Sequence, residues 1–73
     1  MDWSILIDTV GASSMCAVSP EYIRRLCRFG VLSGAKFGGR WVMTLESVKN
    51  YLLTKGLTIT EIQASAKRAL RPR

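Results

Sequence analysis

The sequence predicts one small domain, mainly α-helical, that carries a single β-hairpin and closes with a C-terminal helix. Three observations carry that expectation. The chain has 73 residues, 48% of them apolar, which suffices for one modest core. A helix-start signal at Ser19-Pro20 lies just after an earlier helical segment, across a short break. A Gly38-Gly39 pair separates two short strand-like runs, Ala35-Lys36-Phe37 and Arg40-Trp41-Val42-Met43.

Taken in order, Ile5-Leu6-Ile7 reads either as a strand or as a lead-in packed under the first helix. Asp8 or Thr9 can cap a helix reaching about Cys16, because a side-chain oxygen there satisfies an orphan amide. Gly11, Ser13 and Ser14 disfavour that helix, so packing has to hold it. The second helix is better marked. Ser19 is its N-cap and Pro20 its first residue, where a missing N–H costs nothing. Ile23, Leu26 and Cys27 share one face, Glu21, Arg24, Arg25 and Arg28 point elsewhere, and Gly30 offers a left-handed stop after Phe29. Only Ala17 and Val18 separate the two helices, the short connection of a helix-turn-helix.

A Ser33-Gly34 break follows Val31-Leu32, and the hairpin comes next, its Gly-Gly pair suited to the positive φ angles of a tight turn. It reads as a wing. Thr44 caps a third helix reaching Thr54 or Lys55, with Leu45, Val48, Tyr51 and Leu52 inward and Gly56 at its end. Thr58 and Glu61 have the spacing of a capping box, and Leu57 with Ile62 that of a hydrophobic staple. They start a fourth helix, from about Ile59 to Leu70, before the basic tail Arg71-Pro72-Arg73. The expected whole is a winged helix-turn-helix over residues 1–55, then an amphipathic helix and basic tail over 56–73.

The net charge of +6 is unevenly spread. Residues 1–18 carry −2, residues 19–43 carry +4, and residues 44–73 carry +4. Such a distribution suits a polyanionic partner, although net charge also serves solubility. With two cysteines and no histidine, the four ligands of a structural zinc site are missing. Cys16 and Cys27 read as small buried hydrophobes, and a disulfide is not expected in a cytosolic protein. No paired carboxylates, phosphate-cradling glycine motif or base-activated nucleophile is found, so neither an enzyme nor a cofactor is expected. No apolar run is long enough to span a bilayer, and the acidic start does not resemble a secretory signal. The expected setting is the cytoplasm, in association with the nucleoid.

The functional expectation is centred on the second helix. Tyr22, Arg24, Arg25 and Arg28 leave its packed face, flanked by Ser19 and Glu21 at its start. A helix fits the major groove, where arginine reaches guanine bidentately and also clamps phosphates. The hairpin offers Lys36 and Arg40 beside the slim Gly38-Gly39 turn, suited to a backbone or minor-groove contact. Tyr22 reads equally as a DNA contact or as packing, whereas Trp41 and Tyr51 read as core. One of Arg24 and Arg25 could lean back toward the core or a carboxylate. Trp3 reads as a hydrophobic plug at the amino end. Lys67, Arg68, Arg71 and Arg73 read either as a solvated helix end favoured by the macrodipole or as a second contact.

The stretch Val18-Ser19-Pro20-Glu21-Tyr22-Ile23-Arg24-Arg25-Leu26, then Gly30, then Gly39-Arg40-Trp41, then Val48 and Tyr51-Leu52, resembles the excisionase-like, MerR-related helix-turn-helix domains. The resemblance covers about residues 5–53 and rests on four spaced motifs in order. It implies a winged-helix fold that binds double-stranded DNA. It also implies a role in phage or mobile-element recombination or in transcription regulation. The excisionase reading adds DNA bending, self-association on DNA and a site-specific recombinase as partner. A small MerR-like regulator and a basic protein-interaction module are the competing expectations.

Overall fold

Ser19 and Pro20 set the start of the best-marked helix. In the computed structural model, which describes residues 1–70, the Ser19 side chain accepts the Tyr22 amide at 3.2 Å. Helix α2 then runs Pro20–Arg28, with Ile23, Leu26 and Cys27 buried. Phe29, expected as its last residue, is instead the C-terminal cap. Before it, α1 spans Thr9–Cys16. Asp8 is the cap of α1, its carboxylate accepting the Gly11 amide at 2.8 Å. The link between the two helices includes Ala17 at φ 57 and ψ 41, the left-handed region. Its amide bonds the Ser13 carbonyl and so closes α1.

The sheet is larger than the expected hairpin. Leu6–Asp8 forms β1, Gly34–Phe37 forms β2 and Arg40–Thr44 forms β3, in the antiparallel order β1-β3-β2. Of the two options left open by the Ile5-Leu6-Ile7 run, the strand is the one observed. It pairs with β3 as Leu6↔Thr44, Ile7↔Met43 and Asp8↔Val42. Ile7 and Met43 thus meet on the inner face, and both are buried. Gly34, expected in a break, instead opens β2 opposite Met43. A methyl group at Gly34 would lie 3.0 Å from Cys27 Sγ and 3.2 Å from the Val42 carbonyl oxygen, so glycine lets β2 pass this close to α2 without displacing either.

Thr44 ends β3 and caps α3 (Leu45–Thr54), accepting the Ser47 amide at 3.2 Å. The amino-terminal segment straps onto that helix start. The Leu45 amide donates to the Ile5 carbonyl and the Glu46 amide to the Trp3 carbonyl, both at 2.9 Å. Helix α4 (Ile59–Ala69) opens with the expected capping box of Thr58 and Glu61. It packs on α1 and α3, and its Ile62 and Ala66 are fully buried within the one core cluster. That cluster also takes Ala12 and Met15 from α1, Leu32, and Leu45, Val48 and Leu52 from α3. Among the described residues, four helices and a three-stranded antiparallel sheet thus form a small mixed α/β unit.

Candidate nucleic-acid interface

On α2, successive residues turn by about 100°. Glu21, Arg25 and Arg28 therefore lie opposite the buried trio, with Arg24 and Tyr22 on the two flanks. All five are exposed, as is Ser19, whose hydroxyl is committed to the cap. The flanks differ in their surroundings. Arg24 lines a cleft of about 250 Å³ together with Gly39, Arg40 and Trp41 of the hairpin region and Asp8 and Thr9 at the start of α1. Arg24 of the helix and Arg40 of the hairpin thus line one cleft, although 15 residues lie between them in the chain. Among the described residues, Asp8 supplies the only carboxylate lining that cleft, and it already accepts the Gly11 amide.

Tyr22 lies at a different, larger cleft of about 570 Å³, with Tyr51, Cys16, Leu57, Lys55 and Arg68. Burial first, and then hydrogen bonding to Tyr22, push the Tyr51 phenol above its ordinary value. Burial alone pushes the Cys16 thiol up to about 11 and raises Cys27 as well. Both cysteines are free thiols. Tyr22 and Arg68 therefore share a surroundings that Arg24 and Arg40 do not. Lys67 and Arg68 are exposed in the last turn of α4, and the Arg68 guanidinium donates to Ser65 Oγ at 3.3 Å. Arg71 and Arg73 lie outside the described residues.

The hairpin turn takes the backbone expected of it. Gly38 and Gly39 sit at φ +57 and +82 with open space where each Cβ would be, the pattern of a type I′ turn. Cross-strand pairing puts Lys36 opposite Trp41 and Phe37 opposite Arg40. The Lys36 ammonium stands 5.9 Å from the centre of the Trp41 ring. Trp41 itself is half-buried against the core. Trp3 is also half-buried against the core, and Lys49 stands 5.2 Å above its ring.

From Tyr22 to Leu45 the chain carries Arg24, Arg25, Arg28, Lys36 and Arg40 and no acidic residue. Arg24 and Arg40 bring donors able to form charge-assisted hydrogen bonds from a helix and a hairpin to one cleft. The chain matches no family model, no curated protein and no solved structure. No helix of the described residues is long and apolar enough to cross a membrane. No group of three or more His, Cys, Asp or Glu among the described residues could hold a metal ion.

Three residues near the helix and hairpin cations, Asp8, Thr9 and Phe37, are not singled out for that position by sequence patterning. Thr9 and the Asp8 cap form a wall of the Arg24–Arg40 cleft; the capping signal at Asp8 locates a helix start but not what that start faces. Phe37 stands 65% exposed at the end of β2, and an aromatic residue beside a Gly-Gly turn was the available signal.

Proposed function

We propose that this chain binds double-stranded DNA as a winged helix-turn-helix. Helix α2 presents its exposed face to the major groove, and the β2–β3 hairpin acts as the wing. The observation that carries this reading is the shared cleft of Arg24 and Arg40, which joins the cationic helix face to the cationic hairpin. Arg25 and Arg28 are the candidates for base edges, and Arg24, Lys36 and Arg40 for phosphates or the adjacent minor groove. Ser19 acts through the cap, and Glu21 accompanies Arg25 one turn away.

The motifs resembling excisionase-like domains favour an accessory role in site-specific recombination, with bending of DNA, a recombinase partner and side-by-side copies on the duplex. A small transcription regulator uses the same contacts with a different partner. A gel shift and footprint on the DNA flanking the protein's own gene test the binding. A protected site whose affinity falls steeply with salt is expected, and equal, weak retention of every duplex would defeat the proposal. A recombination assay with and without the chain separates the two roles, because unaltered excision in its absence removes the recombination role.

The cleft beside Tyr22 favours a second reading, a module for an acidic protein partner, since Lys55 and Arg68 flank apolar side chains there. In that case DNA affinity is weak and insensitive to loss of Arg24 and Arg25.

A further inference from the structure

Both phenylalanines of the chain lie outside the core: Phe29 is 72% exposed and Phe37 65%. Single exposed apolar residues are ordinary on protein surfaces. The setting of Phe37 is not ordinary. It is the last residue of β2, next to a turn formed by two residues without side chains. The tip beyond it carries no side chains, so only backbone would face the walls of a minor groove about 6 Å wide. Its cross-strand partner is Arg40, so the phenyl ring and a guanidinium leave the same face of the hairpin. Lys36 leaves the opposite face, over Trp41. The core face of the sheet is already filled by Ile7 and Met43, so Phe37 has no packing duty to perform. Phe29 lacks this setting, being the cap of α2 beside exposed Val31.

We propose that Phe37 is a wedge: it enters the minor groove at the hairpin tip, inserts between two base pairs and kinks the duplex, with Arg40 anchoring the adjacent groove. The inference rests on the DNA-binding proposal and adds the residue and the manner of distortion. An apolar side chain can partly unstack a base step from the minor groove. Pyrimidine–purine steps such as TA resist this least. Phe37 therefore confers a preference for a flexible step at a fixed distance from the bases that α2 meets. No base-edge hydrogen bond is needed for that preference.

The test uses the full chain and short A·T-rich duplexes carrying dyes at both ends. A fluorescent adenine analogue sits beside a central TA step or beside an uninterrupted A-tract. Anisotropy reports binding, energy transfer reports bending, and the analogue brightens when unstacked. The wild-type chain is expected to shorten the end-to-end distance and brighten the analogue at the TA step more than in the A-tract. Phe37→Ala should still bind while losing most of both signals and the preference for the TA step. Phe37→Leu should retain them. Circular dichroism should give the wild-type melting curve for both variants, because the side chain is exposed.

If the wild-type chain binds no duplex, the DNA-binding proposal fails and the wedge falls with it. Binding with no brightening, or Phe37→Ala equal to wild type, overturns the wedge alone and leaves DNA binding standing. An effect of Phe37→Ala confined to self-association, read by sedimentation without DNA, overturns the wedge in favour of a protein contact.

Discussion

Arg24 and Arg25 are neighbours in the chain with different surroundings. Arg25 projects from the middle of the exposed face of α2, whereas Arg24 lines the cleft that also holds Arg40. Where a specific base is read, Arg25→Ala should cost about 1–3 kcal/mol of binding and relax preference at one position. Arg24→Ala and Arg40→Ala, sharing one cleft, should be non-additive, which a double-mutant cycle on one duplex can measure. Equal, additive losses would detach the two arginines from a common contact. Cys16 offers a test of burial. With its thiol held at about 11 against an ordinary 9.0, alkylation by iodoacetamide near pH 8 should be far slower than for a fully solvated thiol. The folded form disfavours the thiolate, so its contribution to stability is whole below pH 9.0 and is lost as pH rises toward about 11. A melting temperature that climbs over that interval would contradict the burial.

The elements differ in how plainly their residues announce them. For α4, the Thr58 hydroxyl accepts the Glu61 amide and the Glu61 carboxylate accepts the Thr58 amide at 3.0 Å. Thr58→Ala should therefore cost about 1 kcal/mol of stability, measurable by urea melting. Those hydrogen bonds hold the Glu61 carboxyl below its ordinary value of 4.5. The small contribution is present above pH 4.5 and is lost as pH falls through the depressed value. The capping box is local in sequence, and α4 was legible for that reason. Helix α2 was legible from its Ser-Pro start and the spacing of Ile23, Leu26 and Cys27. Helix α1 lacks such spacing, because its buried set of Ala12, Ser13 and Met15 includes a serine, and only the cap at Asp8 marked it. Strand β1 stayed ambiguous because its partner, Arg40–Thr44, lies far along the chain and leaves no local trace. The arginine face of α2 could be read from helical spacing. The joining of Arg24 with Arg40, and the turning of Tyr22 toward Tyr51, depend on how α2 packs and could not.

At the scale of the whole molecule, Cα extents of 31 × 28 × 21 Å set the reach of any contact. One helical turn of DNA is about 34 Å, so a single copy should protect no more than about one turn. Within that span Lys36 and Arg40 should each displace a counterion, at a phosphate or in the adjacent groove. Removing both Lys36 and Arg40 should lower the slope of log affinity against log salt by about 2. An unchanged slope would place the hairpin away from the duplex.

The central position of β3 bears on any such complex. Its one edge holds β2 and its other edge holds β1, while Thr44 passes directly into α3. The base of the arm that ends at Gly38-Gly39, Val42 and Met43, is therefore held between two strands, whereas Arg40 and Trp41 pair with β2 alone. In the proposed complex that base cannot shift without breaking a ladder on either side, so a poor fit at its foot would fall on the duplex, and sequences that yield easily would be favoured.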